Sequence, residues 1–359
     1  MLDDNLELTR VTCPIGVLLI IFEARPEVIA NIASLAIKSG NAAILKGGKE
    51  STESFQAIST VISQTLSKTQ VPNAAIQLVK TRDAIDELLS LDKYIDLVIP
   101  RGGNRLVSYV KDHTKIPVLG HADGLCSIYI HEDADPAMAV NVIMDAKCSY
   151  PAACNAIETL LVHEEALQTV LPPVAEALLQ KGVSLRCDSP SKMHLGSKLP
   201  GHLKALLQDS TEEDYDTEFL DLILAIKTVP AARSATTNGE GFMNSPISPL
   251  KFAIAHINAH SSKHTDCILT MSESTAEEFM SGVDSAGVYW NASTRFADGM
   301  RYGFGTEVGI STNKIHSRGP VGLEGLCIYK YKIRGRGQSA ADYGEGEGQR
   351  HYQHRTMEI

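Results

Sequence analysis

The chain has 359 residues, of which 43% are hydrophobic and 21% are charged, which is an ordinary balance for a globular protein large enough for two domains. Its net charge of −10 and the lack of a sustained basic face argue against a nucleic-acid partner. No apolar run approaches the length of a membrane span, which excludes a membrane-spanning protein. The acidic first residues resemble neither a signal nor a transit peptide, so we expect a cytoplasmic location.

The first part of the chain alternates between strand and helix patterns. The predicted strands cover residues 6–12, 15–22, 42–45, 75–80 and 95–99, and the predicted helices cover residues 26–39, 51–67 and 82–89. Such alternation is typical of a parallel sheet with helices on both faces. Ligands of these sheets bind beyond the carboxyl ends of the strands, where residues 46–49 (KGGK) and 101–103 (RGG) lie.

A second α/β stretch runs from about residue 124. Its predicted strands cover residues 127–130, 159–162, 219–229 and 287–290, and its predicted helices cover residues 167–181 and 253–258. Residues 231–248 are polar and lack periodicity, which predicts an insertion. The polar tail, residues 337–359, is predicted to be disordered.

The seven cysteines are scattered through the chain without CxxC pairs. This spacing is typical neither of a zinc framework nor of a dense disulfide scaffold, and it fits free thiols in a reducing compartment. We therefore predict no metal site.

Cys154 is nevertheless unusual among them. It lies in SYPAACNAIETLLVH, residues 149–163, where small neighbours leave the sulfur accessible. The break at Pro151 and the helix-compatible run 152–159 predict a thiol near a helix N-terminus, where oriented N–H groups lower the pKa of a thiol. Such a thiolate attacks carbonyl carbons, and neighbouring N–H groups stabilise the oxyanion. A small buried hydrophobic residue is an equally good interpretation of the local sequence.

Four ordered segments carry a family resemblance: residues 14–51, 91–103, 150–163 and 283–326. Their sequences begin PIGVLLIIFEARP, LDKYIDLVIPRGG, YPAACNAIETLL and VDSAGVYWNASTRF. Together they resemble the gamma-glutamyl phosphate reductases, which belong to the aldehyde dehydrogenase superfamily. The resemblance is strongest to the reductase half of the bifunctional delta-1-pyrroline-5-carboxylate synthases, and it leaves open a glutamate kinase domain or partner.

The resemblance implies an α/β, aldehyde-dehydrogenase-like fold, with a parallel-sheet cofactor domain, an α/β catalytic thiol domain and a β oligomerisation arm. The expected parts are an arm (1–13), an NADP-binding domain lacking its N-terminal part (14–125), a catalytic domain (126–315) and a return arm (316–336). Residues 5–13 would pair with residues 326–333 and build a homodimer or higher homo-oligomer.

The implied reaction is the NADPH-dependent reduction of L-glutamyl 5-phosphate to L-glutamate 5-semialdehyde through a thioester on Cys154, a step of proline biosynthesis. One alternative is an NAD-dependent hydrolytic aldehyde dehydrogenase, but residues 117–124 hold no glutamate to serve as its base. Another alternative is a truncated, catalytically impaired relative that acts as a dimerising fragment. The late start of the chain and the insertion favour that interpretation.

The resemblance also implies the site residues. The catalytic candidates are Cys154, Arg25 and Asn155. The cofactor-binding candidates are Lys46, Lys49, Arg101, Gly102, Gly103 and Glu218. The substrate-binding candidates are Asn291, Ser293, Thr294 and Arg295. The alternatives are a surface salt bridge for Arg25, solvent-exposed side chains for both lysines and an acidic surface around Glu218. His121 is expected to be a polar wall residue rather than a base.

Overall fold

The computed structural model describes residues 1–22, 28–48, 52–79, 84–121, 123–231 and 248–357. Arg25, Lys49 and the interior of the predicted insertion therefore lie outside the described residues. No helix in the described ranges is both long and apolar enough to cross a membrane.

The strands, in chain order, are β1 (Glu7–Pro14), β2 (Val17–Phe22), β3 (Ala42–Gly47), β4 (Ile76–Val79), β5 (Leu97–Arg101), β6 (Cys126–Ile130), β7 (Ile157–His163), β8 (Ser184–Cys187), β9 (Leu207–Asp209), β10 (Ile223–Val229), β11 (Thr265–Leu269), β12 (Gly287–Trp290), β13 (Gly309–Ser311), β14 (Gly319–Val321) and β15 (Cys327–Arg334). The helices are α1 (Val28–Ser39), α2 (Thr52–Leu66), α3 (Ala84–Leu89), α4 (Asn104–His113), α5 (Pro136–Cys148), α6 (Ala166–Thr169), α7 (Leu171–Gln180), α8 (Ser189–Lys198), α9 (Pro249–His260) and α10 (Glu273–Gly282).

The first sheet is parallel, in the order β4-β3-β2-β5. Its apolar strand β2 is buried on both faces, as continuous hydrophobic strands of parallel sheets are. Leu18 shares an apolar cluster with Ile32 of α1 on one face, and Leu19 shares another with Val110 of α4 on the other. The predicted layering of helices on both faces is confirmed.

The second sheet is also parallel, in the order β12-β11-β6-β7-β10-β8-β9. The single helix predicted over residues 167–181 is divided into α6 and α7, and Pro172 and Pro173 lie in the first turn of α7. Proline lacks the N–H that a continuous helix needs, which explains the division. The strand predicted from residue 219 begins only at Ile223, because Leu220 has a φ of 56° that extended backbone does not adopt.

The arm consists of β1 and β15, which pair antiparallel in a continuous register from Glu7–Arg334 to Pro14–Cys327. This pairing confirms the one expected between residues 5–13 and 326–333. Tyr329, Tyr331 and Ile333 are 57%, 60% and 63% exposed, so the arm carries uncovered apolar side chains. Its role in assembly stays a prediction.

The C-terminal tail differs from the expectation of disorder. Residues 337–357 are placed against the N-terminus, where the Gln353 N–H donates to the Leu2 carbonyl at 2.7 Å. Tyr343 donates to the buried Asp3 carboxylate at 3.0 Å and stacks on Tyr352 with the ring centroids 4.6 Å apart. These contacts join the two ends of the sequence, so the composition of the tail alone did not indicate them.

Candidate active site

A cavity of about 450 Å³ lies between the carboxyl end of β5 and the amino ends of β7 and β10. It brings together predicted residues that are far apart in the sequence. The predicted site residues on its wall are Arg101, Gly102, Gly103, Cys154, Asn155, Glu218 and Arg295.

Cys154 lies in a turn between α5 and β7. The expectation of a helix N-terminus is wrong, because the apolar run from Ile157 joins the sheet as β7 and the residues before it form hydrogen-bonded turns. Burial raises the pKa of the Cys154 thiol to about 11, which the Arg101 and Arg295 guanidinium groups oppose and the Glu307 and Glu218 carboxylates reinforce. The predicted lowering of this pKa is also wrong, and the thiol is protonated at neutral pH.

Alkylation should report this protonation state. At pH 8 we expect iodoacetamide to modify Cys154 in the folded chain roughly 100-fold more slowly than in the denatured chain, because only the thiolate reacts. The rate should rise about tenfold per pH unit towards pH 11. Glu307→Gln removes a negative charge and should speed the reaction several-fold. Mass spectrometry of the Cys154 peptide measures the rate, and equal rates in the folded and denatured chain would contradict the raised pKa.

His121 is a neutral imidazole beside this thiol. Its Nδ1 lies 3.1 Å from the Ile310 carbonyl oxygen. Because a carbonyl only accepts, Nδ1 carries the proton and Nε2 keeps its lone pair. Burial lowers the pKa of His121, although the Ile310 hydrogen bond opposes this. One donor atom from each of His121, Cys154 and His264 lies within 4.8 Å of the other two. His121 lies on the cavity wall, as expected, beside the thiol.

Arg295 is held over the Cys154 turn by neighbouring side chains. Its Nε donates to Ser149 Oγ at 3.1 Å, and its Nη1 donates to Asn155 Oδ1. Asn155 in turn donates to the Ala297 carbonyl at 3.0 Å, while Thr294 Oγ1 donates to the Asn155 carbonyl at 2.6 Å. Asn155 and Thr294 therefore position the cationic group and the thiol turn through contacts inside the protein.

Asn291, Ser293 and Thr294 are not on the cavity wall that the described residues form. The Asn291 amide is occupied at both ends, since its Oδ1 accepts the Thr270 N–H at 3.0 Å and its Nδ2 donates to the Thr270 carbonyl at 2.9 Å. Ser293 is buried, and its Oγ accepts the Arg295 N–H at 3.2 Å. These contacts lie inside the protein, and a direct contact of the three residues with substrate stays a prediction.

Glu218 connects the cavity wall to the backbone beside the thiol. Its Oε1 accepts the Gly124 N–H at 2.8 Å. Gly124 packs so closely on the Cys154 turn that an added Cβ would lie 2.3 Å from the Cys154 carbonyl oxygen and 2.5 Å from its Cα. Only glycine fits at this approach of two backbones.

Gly124→Ala should therefore displace the thiol turn. A displacement of about 1 Å costs on the order of 100-fold in rate, so we expect a loss of that size in kcat/KM. The matched control is Gly196→Ala in α8, where an added Cβ meets nothing within 4 Å. The control should keep its activity and gain about 0.5–1 kcal/mol in free energy of unfolding. Normal kcat/KM in Gly124→Ala would contradict the importance of this contact.

The predicted cofactor residues divide between two places. Gly103 precedes α4, and Gly102 and Gly103 line the main cavity together with Arg101. The Lys46 side chain folds back onto the neighbouring backbone, where its Nζ donates to the Gly47 carbonyl at 2.8 Å. It is mostly buried and lies near a second, smaller hollow at the end of β3, whose wall includes Gly47, Gly48, Thr52 and Phe55.

Glu307 is a wall residue that the sequence analysis did not single out. Its Oε2 accepts the Gly299 N–H at 2.8 Å, and burial raises its pKa. The signal in the sequence was a single acidic residue within the glycine-rich segment 303–309 (GFGTEVG). Tyr150 and Asp298 also line the cavity without having been predicted.

Two parallel α/β sheets with a cysteine turn in the cavity between them define a protein of the aldehyde dehydrogenase type. The model of the aldehyde dehydrogenase family matches residues 3–197. The chain is 58% identical over 358 residues to a protein of Schizosaccharomyces pombe named as a probable gamma-glutamyl phosphate reductase, covering 100% of this chain and 75% of the relative. The chain belongs to the gamma-glutamyl phosphate reductase family.

Solved structures agree with this assignment. The crystal structure of gamma-glutamyl phosphate reductase from Thermotoga maritima matches with a TM-score of 0.84 at 39% identity, covering 94% of this chain and 75% of that one. An acetylating aldehyde dehydrogenase from Geobacillus thermoglucosidasius matches with a TM-score of 0.65 at 19% identity, covering 94% and 78%. The second match supports the fold alone, and the predicted fold class is confirmed.

Proposed function

We propose that this chain reduces L-glutamyl 5-phosphate to L-glutamate 5-semialdehyde with NADPH, a step of proline biosynthesis. The observation that carries the proposal is the Cys154 thiol in a cavity with two guanidinium groups, Arg101 and Arg295, acting on it. A thiol is a nucleophile for acyl groups, and guanidinium groups bind phosphate and carboxylate oxygens. The name shared by the curated relatives supports the same reaction.

The chemistry begins with the proton of Cys154. The S–H bond breaks, and the proton moves to Nε2 of His121, the nitrogen with the lone pair. The thiolate attacks the acyl phosphate carbon, a C–S bond forms and the bond to the phosphate oxygen breaks, leaving a thioester. Arg295 holds an anionic group of the substrate, either the phosphate or the α-carboxylate. A nicotinamide bound in this cavity would supply the hydride, and the Cys154 thiolate, on leaving the aldehyde, would take back the proton from His121.

The candidate cofactor-binding residues fit a dinucleotide. Gly102 and Gly103 open the N-terminus of α4 to the cavity, and N–H groups at such ends favour phosphate oxygens. An added Cβ at Gly103 would meet nothing within 4 Å, so a ligand has room there. The Glu218 carboxylate can accept a hydrogen bond from a ribose hydroxyl. Lys46, near the second hollow, supplies a positive charge that favours the extra phosphate of NADP.

Assembly and location complete the proposal. We assign the exposed apolar side chains of the β1–β15 arm to contacts with a second copy of the chain, which gives a homodimer or a higher homo-oligomer. We place the protein in the cytoplasm, where the substrate of a biosynthetic reductase is available and free thiols stay reduced.

The reverse reaction tests the proposal. The purified chain is given glutamate semialdehyde with NADP, and the formation of NADPH is followed with and without inorganic phosphate. Phosphate-dependent NADPH formation is expected, because phosphate must displace the thiol from the thioester. Equal rates without phosphate would instead indicate hydrolysis of the thioester, and a preference for NAD would contradict the role given to Lys46.

A further inference from the structure

We propose that His121, Cys154 and His264 form a reversible zinc-binding site. One donor atom from each residue lies within 4.8 Å of the other two, and the two imidazole rings meet edge to face with centroids 5.2 Å apart. The inference goes beyond the reductase reaction, because binding needs only one thiol and two imidazoles.

The two histidines offer the nitrogens that a metal needs. Nδ1 of His121 donates to the Ile310 carbonyl, and Nδ1 of His264 lies 2.9 Å from Thr265 Oγ1. Thr265 Oγ1 can donate or accept, and in the tautomer in which the His264 Nδ1 donates to it, Nε2 of both histidines carries a lone pair. Histidine ligands of metals characteristically donate their other N–H to a neighbouring oxygen, which fixes the tautomer and the ring orientation.

The Nε2 atom of His264 is a second indication of a metal ligand. The residue is 1% exposed, and its Nε2 has no hydrogen-bond partner among the described residues. A buried polar atom without a partner is costly, and native structures seldom leave one. Coordination of a metal would satisfy this atom, which makes His264 a ligand candidate independently of the thiol.

The set of donors suits zinc. A thiolate and two neutral imidazoles are ligands that Zn²⁺ prefers, at about 2.3 Å for sulfur and about 2.0–2.1 Å for nitrogen. Tetrahedral bonds of these lengths separate the donors by roughly 3.3–3.6 Å, so small side-chain rotations close the present spacing. Three protein ligands leave a fourth position for water or an anion, which lies towards the cavity that Cys154 and His121 line.

Zinc binding replaces the thiol proton. The S–H bond breaks, the proton passes to solvent and an S–Zn bond forms, with no change of oxidation state. If Cys154 is the nucleophile of the proposed reaction, the metal-bound sulfur is withdrawn from it. Zinc would then inhibit the enzyme reversibly, and a chelator would restore activity.

A Cd²⁺ titration of the full chain tests binding without any turnover. Cadmium substitutes for zinc, and its thiolate complexes absorb in the ultraviolet through sulfur-to-metal charge transfer. We expect this absorption in the unmodified chain, its loss in Cys154→Ser, and its displacement by Zn²⁺. In His264→Gln the affinity should fall by at least about 100-fold, because even the loss of a residue that only orients a ligand costs 10–100-fold.

Two further variants complete the design. His121→Gln should weaken binding as much as His264→Gln, and it carries the test if the buried His264 variants fail to fold. The control is His260→Gln, since the ring centroids of His260 and His256 lie 4.2 Å apart and this pair belongs to no three-ligand group among the described residues. Unchanged affinity in Cys154→Ser, or in both histidine variants, would overturn the site, as would no absorption at saturating metal.

Measurements of reductase activity and of cadmium binding together distinguish the metal site from the proposed function. Tight, Cys154-dependent cadmium binding without reductase activity would contradict only the proposed function. Reductase activity that is insensitive to zinc, with no cadmium absorption, would contradict only the metal site. With both correct, Zn²⁺ should inhibit the unmodified chain and inhibit His264→Gln only at about 100-fold higher concentration.

Discussion

Replacement of Cys154 with serine is expected to lower kcat/KM for the reductase reaction by at least about 10⁴-fold. A hydroxyl is a much weaker nucleophile than a thiol, and the base proposed here, the neutral imidazole of His121, is too weak to ionise it. The substitution exchanges sulfur for oxygen in a turn, so the fold should be unchanged. Steady-state kinetics measure the loss, and the free energy of unfolding in urea shows that the variant is folded.

Cys148→Ser is the matched control for that experiment. Cys148 ends α5, only a short turn before Cys154, and the cavity wall does not include it. The control should keep kcat/KM within a few-fold of the unmodified chain. Retention of more than a tenth of the activity in Cys154→Ser would show that this thiol does not form the thioester.

Replacement of Lys147 with methionine is expected to destabilise the fold by about 3–5 kcal/mol. The side chains of Lys147 and Glu158 are 0% and 2% exposed, and Lys147 Nζ donates to Glu158 Oε2 at 2.5 Å. Burial raises the pKa of Glu158 to about 7, although Lys147 opposes this, and burial lowers the pKa of Lys147, which Glu158 opposes. The variant leaves a buried carboxylate without its partner. Urea unfolding measures the loss.

The destabilisation caused by Lys147→Met should depend on pH. Burial holds the pKa of Glu158 in the folded chain above its unfolded value of 4.5. The folded state therefore binds the Glu158 proton more tightly than the unfolded state does. The stability that this binding contributes is fully present below the unfolded pKa and is lost as pH rises through the folded pKa. Without Lys147 the folded pKa rises further. The destabilisation should be smaller at pH 5 than at pH 8, and a larger penalty at pH 5 would contradict the interpretation.

Two variants control the Lys147 experiment. The double variant Lys147→Met with Glu158→Gln should recover much of the stability, since a neutral amide needs no counter-charge and still accepts the Leu220 N–H that Glu158 Oε1 accepts at 3.1 Å. Lys181→Met, at an exposed position, should change stability by no more than about 0.5 kcal/mol. Because Leu220 lines the cavity two residues after Glu218, the buried pair also holds the candidate cofactor wall in place.

The sequence alone determined the elements whose signals are local. The apolar run of β2 predicted a strand buried on both faces, because six consecutive hydrophobic residues leave no polar face. The alternation of strands and helices predicted parallel sheets, since parallel strands need a crossover between them. The small residues around Cys154 indicated an accessible thiol, and the structure places that thiol on the cavity wall.

Only the tertiary structure decided what surrounds that thiol. Asn155 and Ala297, whose hydrogen bond fixes the thiol turn, are 142 residues apart in sequence. Gly124, just before β6, meets the Cys154 backbone just before the neighbouring strand β7. The pKa of Cys154 depends on burial and on charges from four distant segments, so no local pattern predicts its direction. Likewise His264 meets Cys154 only after folding, because the partners of a buried nitrogen are set by how the sheets pack.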